Sequence, residues 1–176
     1  MTVLEIVKRD FEKLTKPSEA FDFANPQMDP QELATNLVET MYENNGLGLA
    51  AIQVGIPLRV FAMRGSPMNF VLFNPRVVMP SDEYVILEEA CLSWPGLVFK
   101  INRPKHVRVR FAGPNGEVVS HTFSGMTARV VQHEITHLDG EVFWAGVKKY
   151  RVEKAIKKAK KLGYDYEGQG LLKFAE

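Results

Sequence analysis

The amino-acid sequence predicts an α+β protein, with antiparallel or mixed β-sheets around a central helix. Helical patterns occur in the first quarter of the chain, in its last third and near its C-terminus, and strand patterns fill the interval between the first two. Strands and helices therefore do not alternate as they do in parallel α/β folds. The length of 176 residues and a hydrophobic fraction of 45% suit one domain with a sizeable core.

The first predicted element is an N-terminal helix that begins after residue 29. Asp29 can cap the first turn, Pro30 suits the first helical position, and Glu32 would complete a capping box. Apolar residues then recur at helical spacing, and Asn45 and Gly46 are typical of a helix end.

Strand patterns follow, rich in β-branched and aromatic residues and bounded by turn formers. They cover residues 58–63, 70–75, 105–111 and 118–123. The last two are separated by a turn containing Asn115 and Gly116, which is a strong signal for a β-hairpin. The segment 105–111 alternates strictly between apolar and polar residues, so one face of this hairpin is expected to be solvated.

Two further helices are predicted in the last third of the chain. A largely apolar helix covers 125–138, with Ser124 as the expected cap and a stop at Gly140. A short C-terminal helix covers about 150–162. We expect one domain over residues 1–163, followed by a C-terminal tail over residues 164–176.

The charge is balanced overall but unevenly distributed. The formal net charge is +1, so neither DNA nor a membrane is expected as a partner. Residues 148–161 carry eight Lys or Arg and one Glu, a net +7 that leaves −6 for the rest of the chain. A lone cysteine, a start without a signal-peptide pattern and no apolar run long enough to span a bilayer indicate a cytoplasmic protein.

The sequence HEITH within the central helix indicates a metal site. His133 and His137 are four residues apart, so their imidazoles lie on one helix face and can converge on one ion. Glu134 projects about 100° around the helix from His133 and flanks the ion without having to bind it. A carboxylate in this position can take a proton from water and pass it to a leaving group.

Two histidines need a third ligand, and the sequence offers two candidates, Glu153 and Cys91. Phe143 occupies the position at which one protease class has a third histidine, which excludes that class. Glu153 lies in a Lys-rich helix expected to face solvent. Cys91 remains. A lone cysteine is more often a small core residue, but Cys91 lies between acidic residues and a Ser-Trp-Pro-Gly turn. A thiolate and two imidazoles leave an open position, as catalytic metal sites require.

A glycine-rich stretch after the first helix is a further candidate. Gly46 and Gly48 could be a helix cap and a turn, but glycine also permits close approach of another backbone. Gln53 offers an amide donor at which a substrate oxygen could lie.

Taken together, these three stretches resemble the peptide deformylase family. That family carries G-x-G-x-A-A-x-Q, E-G-C-L-S and H-E-x-D-H in this order and at about these separations. Here the motifs are GLGLAAIQ (46–53), EACLS (89–93) and HEITH (133–137). Two positions depart from the pattern: Ala90 replaces a Gly, and Thr136 replaces an Asp that neither binds metal nor transfers protons.

The resemblance implies a reaction and a cofactor. The family removes the N-formyl group from the N-terminal formyl-methionine of newly synthesised polypeptides and releases formate. Its metal is usually Fe²⁺, one ion per chain, and Zn²⁺, Ni²⁺ or Co²⁺ can substitute. Two alternatives remain open from the residues: a zinc metalloprotease-like peptidase, or a non-catalytic metal-binding module.

The resemblance also assigns roles to individual residues. Cys91, His133 and His137 would bind the metal, and Glu134 would be the general acid/base. The Gln53 amide and the Leu92 backbone N–H would stabilise the developing oxyanion, and a Glu89–Arg103 ion pair would support the site. The expected substrate-binding residues are Gly46, Leu47, Gly48, Leu87, Met126, Arg129 and Val130. Related enzymes dock a C-terminal helix on the ribosome, which makes the basic helix a candidate ribosome contact.

Overall fold

The computed structural model describes residues 2–176 and contains two antiparallel β-sheets with helices packed around them. In chain order the helices are α1 (Phe11–Leu14), α2 (Pro30–Glu43), α3 (Gly125–Leu138) and α4 (Lys149–Lys161). The strands are β1 (Gly48–Ala50), β2 (Val60–Met63), β3 (Phe70–Pro80), β4 (Tyr84–Ala90), β5 (Val98–Pro104), β6 (His106–Ala112) and β7 (Val118–Ser124). Short 3₁₀ turns cover Ala51–Val54 and Leu171–Phe174. The α+β prediction is confirmed.

The larger sheet has five strands in the order β1-β2-β3-β6-β7, and every neighbouring pair is antiparallel. Because side chains alternate across a strand, each face of β2 contributes to a different core. Val60 and Ala62 pack with the apolar residues of α2, whereas Phe61 and Met63 pack with those of α3. Helices α2 and α3 therefore cover opposite faces of this sheet.

The second sheet is the antiparallel pair of β4 and β5, which we call the β4–β5 ribbon. The sequence analysis did not predict it, nor did it predict β1 and α1. The strand expected at 70–75 extends to Pro80, and the strand expected at 58–63 begins only at Val60. Short strands with mixed polar residues carry a weak pattern, so pairing partners distant in sequence decide whether they form.

The predicted N-terminal cap is present in α2 and absent in α3. The Asp29 side chain accepts a hydrogen bond from the Glu32 backbone N–H at 2.8 Å, as expected for the start of α2. Ser124, the expected cap of α3, makes no capping hydrogen bond through its side chain. Instead, it belongs to β7 and is paired there with His106.

The C-terminal residues pack against a third apolar cluster around Trp94 and Trp144. Tyr166 and Leu171 are buried in it, and the Tyr166 hydroxyl donates to the Pro95 carbonyl at 2.8 Å. The boundary at 163 between a domain and a tail stays a prediction, although these contacts continue the core past it. No helix within residues 2–176 combines the length and the apolar character needed to cross a membrane.

Candidate metal centre and catalytic cleft

Helix α3 presents two histidines to the interior of the protein. The ring centroids of His133 and His137 lie 5.1 Å apart, and both side chains are buried. This follows from their spacing, since residues four apart occupy the same face of a helix. The neighbouring Glu134 is also buried.

Cys91 follows directly after the last residue of β4 and brings its sulfur to the histidines. Its Sγ lies 3.2 Å from His137 Nε2, and one donor atom each from Cys91, His133 and His137 lies within 4.8 Å of the others. One thiol and two imidazoles at this separation fit a divalent transition metal with an open coordination position. The donor set predicted from the sequence is therefore assembled at one point.

A buried carboxylate orients the first histidine. His133 Nδ1 lies 2.9 Å from Glu89 Oε2, so the other ring nitrogen, Nε2, is left for a metal. A carboxylate behind a metal-binding histidine fixes the ring and raises its basicity. In contrast, His137 Nδ1 has no hydrogen-bond partner within residues 2–176.

Two arginines neutralise Glu89. Arg103 donates to both carboxylate oxygens, from Nε at 2.6 Å and from Nη2 at 3.0 Å, and Arg129 Nη1 donates to Oε1 at 2.8 Å. Burial would raise the pKa of Glu89, but the hydrogen bonds from His133 and Arg103 outweigh it and hold the pKa well below its usual range. The expected Glu89–Arg103 ion pair is thus present, and Arg129 adds a second cation to it.

The histidines and Glu134 respond differently to the same buried environment. Burial lowers the pKa of His137 well below its usual value. Burial also acts against the charged form of His133, but hydrogen bonds to Cys91 and Glu89 raise its pKa to about 10. A metal and a proton compete for such an imidazole, so metal binding releases the proton. Burial raises the pKa of Glu134 to about 7, within the range suited to proton transfer near neutral pH.

Gly48 gives Glu134 its space. A Cβ atom at position 48 would lie 2.5 Å from Glu134 Oε1 and 2.8 Å from Val130 Cγ1. The φ of Gly48 is not in the left-handed region, so the requirement for glycine here is steric. The other carboxylate oxygen, Oε2, is buried and has no hydrogen-bond partner within residues 2–176.

Gln53 lies beside the sulfur. Its amide nitrogen is 3.5 Å from Cys91 Sγ and donates to Ser93 Oγ at 3.1 Å, while its oxygen accepts from the Ala50 backbone N–H at 2.8 Å. Gln53 and Ser93 are both buried, so the amide is held in one orientation. Ser93 is the last residue of the EACLS motif, but the sequence analysis assigned it no role.

A cavity of about 420 Å³ opens onto this cluster. It is lined by Gly46, Leu47, Gly48, Gln53, Cys91, Leu92, Met126, Arg129, Val130, His133, Glu134 and Glu89, all predicted from the sequence, and also by Asn45, Glu88 and Ala90. Leu87 does not line the cavity and lies partly buried in β4, opposite Ile101. Ala90 belongs to β4 and does not have a positive φ, so the backbone at this position does not require glycine.

Thr136, which replaces the Asp of the family motif, forms two hydrogen bonds through its hydroxyl group. Thr136 Oγ1 accepts a hydrogen bond from Arg103 Nη1 at 3.2 Å and donates to the Gln132 carbonyl at 2.9 Å. A neutral hydroxyl therefore binds the arginine at the position where the motif has a carboxylate.

The fold and this cluster define a class of protein: an α+β metal hydrolase with its catalytic helix against an antiparallel sheet. The family model described as polypeptide deformylase matches residues 3–153. A peptide deformylase from Wolbachia pipientis wMel is 38% identical over 181 residues, covering 95% of this chain and 99% of that protein.

Solved structures agree with the sequence comparison. A peptide deformylase from Ehrlichia chaffeensis in complex with actinonin has a TM-score of 0.81 and 36% identity, covering 92% of this chain and 98% of that chain. A class I type b peptide deformylase from Acinetobacter baumannii bound to Met-Ala-Ser has a TM-score of 0.75 and 33% identity, covering 81% of this chain and 96% of that chain. The chain belongs to the polypeptide deformylase family.

We predict that Gly48→Ala lowers turnover by roughly 10²-fold, because the added methyl group displaces the Glu134 carboxylate and small displacements of catalytic groups have effects of this size. Steady-state kinetics would measure it. Gly113→Ala is the matched control, since that glycine also lacks a positive φ and its Cβ would meet only the end of the Asn115 side chain, in the β6–β7 turn. Equal turnover in the two variants would contradict the steric role of Gly48.

Proposed function

We propose that this enzyme removes the N-formyl group from the N-terminal formyl-methionine of newly synthesised polypeptides and releases formate. The convergence of Cys91, His133 and His137 beside the buried Glu134, in a chain of the polypeptide deformylase family, carries this proposal. The reaction is hydrolysis: water adds to the formyl carbon, the C–N bond breaks, and the peptide leaves with a free amino group.

Cys91, His133 and His137 hold the metal, one ion per chain, and Glu89 orients His133. When bound, the ion polarises the formyl oxygen and lowers the pKa of water. The ion is Fe²⁺ in this proposal, and Zn²⁺, Ni²⁺ or Co²⁺ can replace it, because ligand affinity alone does not select one of these metals.

Glu134 moves the proton. Its carboxylate accepts a proton from the attacking water and delivers it to the amide nitrogen as the C–N bond breaks. A raised pKa near 7 lets one carboxylate perform both transfers. Gly48 keeps the space in which this carboxylate lies.

The substrate backbone binds along β1. Within the described residues this strand is at the edge of the five-stranded sheet. The Gly46 N–H already donates to the Met41 carbonyl, and the Leu47 carbonyl already accepts from the Arg64 N–H, so Gly48 is the residue whose backbone pairs with an extended peptide in this proposal. The methionine side chain enters the cavity beside Met126 and Val130. The Gln53 amide, 3.5 Å from Cys91 Sγ, and the Leu92 backbone N–H stabilise the negative charge that develops on the formyl oxygen.

The protein acts in the cytoplasm, where a lone cysteine stays reduced.

Helix α4 is the proposed ribosome contact. Lys154, Lys157, Lys158 and Lys161 form a stripe at helical spacing, all four side chains are exposed, and none forms an ion pair within residues 2–176. Val152 and Ala159 on the opposite side are buried and attach the helix to the core. An exposed cationic stripe suits phosphate-rich RNA.

The direct test of the function is formate release from formyl-Met-Ala-Ser by the metal-loaded enzyme. This peptide adds a formyl group to the Met-Ala-Ser bound by the Acinetobacter baumannii relative. We expect turnover of the formyl peptide and none of acetyl-Met-Ala-Ser. Cleavage of an internal bond in an unformylated peptide would favour the peptidase alternative instead. A metal-loaded protein that is inactive on the formyl peptide, the acetyl peptide and the unformylated peptide would favour a binding module.

Glu134→Gln should keep the metal and lose activity, because the three ligands remain while proton transfer is removed. General acid–base steps contribute roughly 10²–10⁴-fold to the rate, and we expect a loss of at least that size in kcat. Metal content and formate release would be measured on the same sample. Glu141→Gln, an exposed carboxylate just after α3, is the control. Near-normal turnover in a fully metallated Glu134→Gln enzyme would rule out this mechanism.

Reversing the charge of Lys154, Lys157, Lys158 and Lys161 to Glu should abolish co-sedimentation with ribosomes at low salt and leave formate release from short peptides unchanged. Charge reversal is preferable to deleting residues 151–176, because deletion would also remove Tyr166 and Leu171 from the core. The control carries the same change in net charge at four other exposed lysines, Lys8, Lys13, Lys16 and Lys100. Equal sedimentation of both variants would show that the stripe is only a solvated face.

A further inference from the structure

The proposed metal ligands come from two parts of the fold that are not joined by a sheet. His133 and His137 belong to α3, whereas Cys91 follows the last residue of the β4–β5 ribbon. The ribbon is separate from the five-stranded sheet within residues 2–176. The separation between the sulfur and the imidazoles therefore depends on how α3 and the ribbon contact each other.

The contact between α3 and the ribbon is polar. The apolar residues Ala128, Val131 and Leu138 of α3 pack with the five-stranded sheet. The side chains that meet the ribbon follow helical spacing on another face, and we call them the polar seam. They are Arg129, Gln132, His133 and Thr136.

Arg129 makes the most extensive of these contacts. Its Nη1 donates to Glu89 Oε1 at 2.8 Å and to the Ile101 carbonyl at 2.9 Å, and its Nη2 donates to the Val85 carbonyl at 2.5 Å. These acceptors lie on both strands of the ribbon. Arg129 and Glu89 are both buried, so the guanidinium is committed to the ribbon, and Arg129 borders the cavity without offering a free charge to a substrate.

The rest of the seam continues along the ribbon. Gln132 Nε2 donates to the Pro104 carbonyl at 2.9 Å, at the far end of β5. Thr136 accepts from Arg103 Nη1 at 3.2 Å, and Arg103 binds Glu89 through two other nitrogens. Directional hydrogen bonds at three successive turns of α3 fix the register of the ribbon along the helix.

We propose that Arg129 is a positioning residue, which fixes the distance between Cys91 on the ribbon and the two histidines on α3 through the polar seam. The proposal rests on the metal-binding role assigned above to those three side chains. The guanidinium of Arg129 is essential, because a planar group with several donors reaches both β4 and β5 at once, whereas the single ammonium of a lysine does not. Thr136 contributes by holding Arg103 against Glu89.

The test uses Co²⁺ as the probe and the absorption of the cobalt-loaded protein as the readout. Thiolate bound to Co²⁺ gives a charge-transfer band in the near ultraviolet, and this band reports the sulfur ligand separately from activity. We expect Arg129→Met and Arg129→Lys to lose most of this band and to bind Co²⁺ roughly 10–100-fold more weakly, the range found for lost partners of metal ligands. Arg108→Met, at an exposed arginine of β6, is the control and should match the unmodified protein.

A milder pair keeps the test decisive if the Arg129 variants fail to fold. Thr136→Val removes the acceptor of Arg103 and should weaken the band, whereas Thr136→Ser retains a hydroxyl and should restore it. Folded Arg129 variants with the unmodified band and affinity would overturn the proposal, as would indistinguishable Thr136→Val and Thr136→Ser proteins. Absence of the band in the unmodified protein would overturn the metal site itself, and the inference with it.

Discussion

The site depends on the ion pairs and the hydrogen bond that the buried Glu89 carboxylate makes. Its side chain is 3% exposed and contacts Arg103, Arg129 and the ring of His133. Burying a charge is unfavourable unless it is paired, and removing one partner of a buried pair costs about 3–5 kcal/mol, because the other charge is left unpaired. The ribbon, the central helix and the ring of His133 are therefore fixed relative to one another at a single point.

The same pocket holds a second buried carboxylate in a different electrostatic state. Burial raises the pKa of Glu134 to about 7, and one of its oxygens has no partner within residues 2–176. Burial also acts on Glu89, but there the bonded imidazole and guanidinium groups outweigh it. The two buried carboxylates are thus in different charge states: Glu89 is held as an anion, whereas the pKa of Glu134 lies in the range suited to proton transfer near neutral pH.

The two departures from the family motifs leave this arrangement intact. Ala90 lies within a strand and needs no left-handed backbone. Thr136 keeps a hydrogen bond to Arg103 without adding a charge, and Arg103 remains bound to Glu89 through two nitrogens. The buried cluster in this chain consequently lacks one carboxylate that the motif would bring, and Arg103 and Arg129 share Glu89 as their carboxylate partner.

The sequence by itself determined the features that depend on local spacing. The Asp29 cap of α2, the apolar periodicity of α2 and α3, the β6–β7 hairpin and the placement of His133 and His137 on one helix face all follow from residues a few positions apart. The assignment of Cys91 as the third ligand required only its unusual context and the exclusion of Phe143 and Glu153.

Only the tertiary structure decided the rest. Strand β1 and the β4–β5 ribbon form because partners distant in sequence pair with them, and Tyr166 and Leu171 are buried because the chain returns to the Trp94–Trp144 cluster. Arg129 was expected at the substrate pocket, yet its guanidinium reaches backbone carbonyls 28 and 44 residues away in sequence. Periodicity places a side chain on a face, but it does not specify what lies opposite that face.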